Sequence, residues 1–189
     1  MRLHARLLVG AVVAVLTVLG VQGVAQAGGG GGHGHGHDRE VVKMRDDCNA
    51  ASFNAAFGPG TCVGRGDTTV DEFLAQLRRL HNAPKWRFSP LRSHVDRGDV
   101  VVAKNRGGEV HTFTEVKAFG GGCVAPLNEI LRLTPVPECG VAGLQAATSV
   151  DPGGRLKVYD LGPGRHYFEC LIHPWMRAVV TVRGHHGHH

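Results

Sequence analysis

Seven residues, Cys170-Leu171-Ile172-His173-Pro174-Trp175-Met176, place a thiol, an imidazole and a thioether within one short turn. They follow Arg165-His166-Tyr167-Phe168-Glu169, whose composition predicts a β-strand. One thiolate, two imidazoles and a long, weak axial thioether favour copper in an electron-transfer site, whereas a structural zinc takes four strong ligands. This run supplies three of those four donors, so the second imidazole must come from elsewhere. His111, in Asn105-Arg106-Gly107-Gly108-Glu109-Val110-His111-Thr112-Phe113, is the candidate. Met176 has no rival thioether on this reading, because Met1 falls in a leader and Met44 in a linker. Its alternative role is a filler of gaps in the core.

Elements that could position these donors begin at Pro84. Trp86-Arg87-Phe88 alternates, Gly98-Asp99 reads as a turn, Val100-Val101-Val102 as a buried strand, and residues 110–116 alternate again. Strands resume over residues 155–161, pause at Gly162-Pro163-Gly164, and continue from His166 through the cysteine loop into residues 179–182. Valine and aromatic content with frequent turns predicts a β-sandwich. His166 shares strand parity with Phe168 and Cys170, so it should point inward as a core residue. His81 and His94 read as ordinary helix-end or surface histidines. Upstream, Thr68 and Thr69 precede Asp71 and Glu72 in capping-box spacing, predicting a helix over residues 70–81. Its stripe of Val70, Phe73, Leu74, Leu77 and Leu80 should pack on the sheet.

At the donor residues the chain resembles the cupredoxins, small blue-copper β-sandwich proteins, over roughly residues 84–183. The spacing of Cys170, His173 and Met176 is similar to the tight ligand loop of amicyanin rather than the longer loop of plastocyanin. The resemblance implies a mainly β, Greek-key cupredoxin sandwich holding one type 1 copper. It assigns His111, Cys170 and His173 as equatorial ligands and Met176 as axial ligand. It also implies that His173 is the electron port, with Pro174 and Trp175 forming a dry contact surface for a redox partner protein. Asn105 sits where relatives tie neighbouring backbone around the metal; its other reading is a turn residue. Ala178 departs from the glycine that relatives often carry after the loop.

The implied role is a one-electron carrier, not an enzyme. Multicopper oxidases flank the cysteine with histidines, and here Glu169 and Leu171 stand in those places; binuclear centres need a second cysteine in the loop. No serine, histidine and aspartate constellation suggests catalysis. The alternative from a different class is an extracellular copper-binding protein for capture, delivery or tolerance.

Residues 1–27 read as a secretory signal peptide, with Arg2 and Arg6, an apolar run over residues 7–24 and the small-residue box Ala25-Gln26-Ala27. The competing reading is a retained anchor. No other segment is apolar enough to span a membrane, so a secreted, periplasmic or cell-surface location follows from cleavage. Cleavage would lower the formal charge from +5 by the two arginines to +3. Basic residues do not cluster with aromatics in the folded part, which excludes nucleic acid as a partner.

Residues 28–47 read as a Gly/His-rich and charged linker, residues 48–83 as an N-terminal helical extension, and residues 184–189 as a His-rich tail. His33, His35, His37, His185, His186, His188 and His189 could bind extra metal weakly. Five cysteines lie at 48, 62, 123, 139 and 170. If Cys170 holds metal, the other four allow three pairings. Cys48 with Cys62 and Cys123 with Cys139 are favoured, because each pair brackets a glycine- or proline-rich excursion. The second pair would close an ordered insertion from Gly120 to Cys139, with a helical turn over residues 128–133.

Overall fold

The computed structural model describes residues 38–184. Expectations for the signal segment, the glycine-histidine tract up to His37 and the histidines from His185 onward lie outside the described residues. Ten strands run in chain order: β1 (Arg39–Arg45), β2 (Arg87–Ser89), β3 (Arg92–Asp96), β4 (Val100–Asn105), β5 (His111–Thr112), β6 (Thr114–Val116), β7 (Ser149–Val150), β8 (Arg155–Val158), β9 (Gly164–Glu169) and β10 (Arg177–Arg183). One sheet has the order β2-β1-β4-β8 and the other β3-β10-β9-β6, with β5 and β7 forming a small separate pair. The fold is therefore mainly β, a sandwich whose chain crosses repeatedly between sheets. Two crossings occur within almost continuous strand, between β2 and β3 and between β5 and β6.

Inward-facing side chains of both sheets make one core. Val42, Met44, Phe88, Val101 and Ala103 come from one sheet; Val95, Phe168, Ala178, Val180 and Val182 come from the other. Phe113, between β5 and β6, joins them. Its ring lies 5.3 Å from Phe88 and stacks on Phe168 at 4.2 Å. Such aromatic contacts add about 0.5–1.5 kcal/mol beyond the area they bury. They fix the hinge from which His111 departs.

The structure corrects the linker reading of residues 38–47. β1 lies inside a sheet, parallel to β4 and antiparallel to β2. Its charge density hid an alternation in which Val42 and Met44 are fully buried while Lys43 and Arg45 face solvent. The same parity carries Asp46 inward.

Four helices supplement the strands: α1 (Ala50–Phe57), α2 (Val70–Leu80), α3 (Ala125–Leu131) and α4 (Leu144–Ala147). The α2 capping box forms as its spacing predicts, with the Glu72 amide donating to Thr69 Oγ1 and the Thr69 amide donating to Glu72. His81 ends the helix in the left-handed region. Leu80 is 47% exposed, so the buried stripe stops at Leu77. That stripe meets an aromatic cluster rather than the sheet: Phe73 packs against Phe53, Trp86, Trp175 and His173. Both favoured disulfides are present, Cys48–Cys62 and Cys123–Cys139, and Cys170 is the free cysteine among the described residues. In the insertion, α3 begins three residues before the expected turn.

Truncating β1 tests its place in the core. Met44→Ala should cost about 2–5 kcal/mol in urea denaturation, while Lys43→Ala should change stability by less than about 0.5 kcal/mol. Equally small losses at both positions would return this segment to a linker.

Candidate metal centre

His111 opens β5, where pairing with Val150 of β7 holds its backbone. Cys170 follows the last residue of β9, and Met176 precedes β10. The loop between them closes on itself: the Cys170 amide donates to Met176 O at 3.0 Å and the Met176 amide donates to His173 O at 2.8 Å. Two strands that already pair in the sandwich thus present both ends of the loop. Gly122 backs it, and a β-carbon there would collide with the Leu171 carbonyl.

This scaffold brings His111, Cys170 and His173 together, all buried. The two Nδ1 atoms are 3.2 Å apart, and Cys170 Sγ lies 4.0 Å from that of His111 and 3.8 Å from that of His173. Bonds of about 2.0 Å to nitrogen and about 2.3 Å to sulfur, spread evenly in a plane, would separate the nitrogens by about 3.5 Å and sulfur from nitrogen by about 3.7 Å. Tetrahedral angles would draw sulfur and nitrogen in to about 3.5 Å. The sulfur–nitrogen edges fit the flatter arrangement and the 3.2 Å nitrogen–nitrogen edge fits tetrahedral angles, which give about 3.3 Å, so the triangle has the size of a metal site and the donor types, one sulfur and two imidazoles, suit copper. Met176 is fully buried at the end of the same loop.

The surroundings prepare a thiolate. Backbone amides of Thr112 and His173 both approach Cys170 Sγ at 3.4 Å. Burial pushes the thiol up, but hydrogen bonds and charge from His111 and His173 outweigh it and bring it well below its ordinary range. Burial likewise pushes His111 down, yet Asp46 and Cys170 raise it to about 9. Thr112 Oγ1 accepts from the Leu171 amide at 2.7 Å, tying β5 to the loop.

Each imidazole has a carboxylate behind it, which the sequence reading missed. His111 Nε2 lies 2.9 Å from Asp46, whose side chain is 2% exposed. Asp46 also accepts from the amides of Gly108 at 2.9 Å and Glu109 at 3.1 Å. Burial raises Asp46, but these bonds lower it further. Gly107 is needed here because its β-carbon would occupy the place of the Asp46 carboxylate. His173 Nε2 lies 3.8 Å from Glu109, which takes a 2.5 Å bond from the Trp86 indole. With a proton on Nε2, each ring leaves its Nδ1 lone pair facing the centre.

Asn105 works as the resemblance implied. Its amide donates to the carbonyls of Glu109 and Val150, and its oxygen accepts from the Gly107 amide. Two other expectations change. His166 is half-buried at the rim, bridging Glu115 and the Gly162 carbonyl, because β9 only enters the core at Phe168. His173 does not reach the surface: it is 4% exposed, covered by Phe73 of α2 and by Trp175.

Fold and site together define a β-sandwich with a buried centre of one thiolate and two imidazoles. No family model matches the sequence, and no curated protein matches it. Among solved structures, the chain is similar to cupredoxins. A purple cupredoxin from Nitrosopumilus maritimus is 15% identical, covers 76% of this chain and 98% of its own, and gives a TM-score of 0.36. Plastocyanin from Dryopteris crassirhizoma is 17% identical, with coverage of 76% and 99% and a TM-score of 0.38. A copper-containing nitrite reductase from Thermus scotoductus is 17% identical over 51% of this chain and 20% of its own, with a TM-score of 0.33. At such values the functional reading rests on the residues above.

A metal must displace the proton that His111 carries in the metal-free protein. In a variant lacking both histidine tracts, zinc affinity should rise about tenfold per pH unit up to the His111 value of about 9 and then level. Asp46→Asn, which removes a group that raises His111, should move the break to lower pH. Competition titration over this range checks both, and a break that ignores Asp46→Asn would contradict the role given to that carboxylate.

Proposed function

We propose that this protein is an exported cupredoxin that holds a single type 1 copper on His111, Cys170 and His173, with Met176 as axial ligand, and carries one electron between redox partners. The observation that carries this reading is the triangle of three buried donors, one sulfur and two imidazoles, at metal-site spacing. Copper would supply the one-electron couple, and its weak axial thioether would tune the potential.

The chain's own residues do the remaining work. Asp46 orients the His111 ring through its Nε2, Phe73 and Trp175 pack around the His173 ring, the amides of Thr112 and His173 hold the sulfur, and the strands of the sandwich keep the three donors from drifting. A fixed donor set keeps reorganisation small when charge changes. Burial of all three donors leaves little room for a substrate, which favours a carrier over a catalyst. Two disulfides support an oxidising compartment. Among the described residues no helix is long and apolar enough to cross a membrane.

The visible spectrum of the full chain with one equivalent of copper(II) tests the reading. An intense blue or violet absorption should appear, vanish in Cys170→Ser, survive removal of both histidine tracts, and bleach reversibly on one-electron reduction. A pale protein whose copper leaves with the tracts would instead be a copper-capture protein.

A further inference from the structure

A third buried carboxylate lies on the other side of the strand that leads into Cys170. Glu169 is the last residue of β9, and its side chain is fully buried although strand parity turns it away from the core that Phe168 enters. The insertion covers it. Glu169 Oε2 accepts from the Gly120 amide at 3.1 Å and from Arg177 Nε at 3.0 Å, and the same guanidinium donates to the Gly120 carbonyl at 2.7 Å. Arg177 also lies over the Phe119 ring, 5.1 Å from its centre.

Glu169 and Arg177 are register partners, the last pair of β9 and β10 before the chain leaves the sheet. Between them in sequence stands only the ligand loop, residues 170–176. The neck of that loop is therefore closed twice: by the Cys170 amide on Met176 O, and by this ion pair on the outer face. Two further bonds tie the insertion to the same loop. The Cys123 amide donates to Leu171 O at 2.6 Å, and the Asn128 side chain donates to the Gly122 carbonyl at 2.7 Å, holding the glycine that backs Leu171. A side chain that joins the end of one strand, the start of the next and an outer segment, all at the neck, controls how far the two ends of the loop can separate.

We infer that Glu169 is a positioning residue for the centre: through Arg177 and Gly120 it fixes the neck of the ligand loop, and with it the placing of Met176 relative to Cys170. The inference rests on the copper reading for what that placing controls, and on the loop's own hydrogen bonds for the clamp. Where a thioether is the weak axial donor, its distance sets the balance of donation to the metal, and hence spectrum and potential. The insertion from Gly120 to Cys139 is then an outer brace of the ligand loop.

Three single variants separate a clamp from a charge and from plain stability. Glu169→Gln keeps an oxygen to accept from Gly120 and Arg177, whereas Glu169→Ala and Arg177→Ala each remove the clamp. In the metal-free full chain, hydrogen exchange at the Cys170 and Cys123 amides should speed about tenfold or more in both alanine variants and by less than about threefold in Glu169→Gln. The Arg106 amide, bonded to Met44 O in the other sheet, should stay unchanged in all three. With one equivalent of copper(II), both alanine variants should shift the visible bands and the potential in the same direction, and Glu169→Gln should restore them. A Glu169→Gln shift as large as that of Glu169→Ala would show an effect of charge and overturn the positioning role. Exchange that speeds equally at Arg106, or lower urea stability with the Cys170 amide unmoved, would reduce the pair to a structural one and overturn it too. The exchange readout needs no metal, so a protein that never coloured would fail the copper reading while exchange at Cys170 and Cys123 still decided the clamp.

Discussion

The Cys170 sulfur is fully buried, yet its neighbours hold the thiol well below its ordinary range, and most of the surrounding structure answers the constraint that a buried thiolate sets. An isolated anion in an apolar interior is strongly unfavourable, so its charge must be met at short range. Two imidazoles and two backbone amides meet it here. The imidazoles in turn need partners for their outer nitrogens, and Asp46 and Glu109 lie behind them. Those carboxylates are buried too, and are held by the amides of Gly108 and Glu109 and by the Trp86 indole. Charge compensation therefore spreads outward from one thiolate through two layers, until it ends in the wall built by residues 46–109.

That wall changes what the N-terminal extension is. Read as an addition, residues 48–83 would sit beside a complete sandwich. In the structure they close the centre. Cys48 Sγ comes close enough to Gly108 that a β-carbon there would meet it, and Gly64 crowds the same glycine. Phe53, Phe73 and Trp86 fill the space outside His173. The disulfide between Cys48 and Cys62 thus fastens a piece of the enclosure around the candidate metal centre.

Much of this was legible from residue type and spacing. The cysteine loop, the upstream histidine, the capping box of α2 and both disulfide pairings all follow from short-range patterns. What was hidden depended on long-range pairing. β1 carries enough arginine, lysine and glutamate to pass for a linker, and only its parallel partner β4 shows which face is inward. Once Val42 and Met44 are seen to alternate, Asp46 falls on the same face, and an inward-pointing acid is a signal for a site. Glu109 and His111 share parity in the same way. The burial of His173 could not be read locally, because it depends on where α2 comes to rest.

The donors and their supports come from segments far apart along the chain: Asp46 and His111 are separated by 65 positions, and His111 and Cys170 by 59. No local hairpin or helix contains more than a fragment of the centre. Its assembly is therefore a non-local event of high contact order. A partly folded chain that lacks β1, β5 or the final loop has no complete donor set to offer. Ligand binding to such a centre is linked to the closed sandwich as a whole, and stabilises it against every opening that separates these three segments.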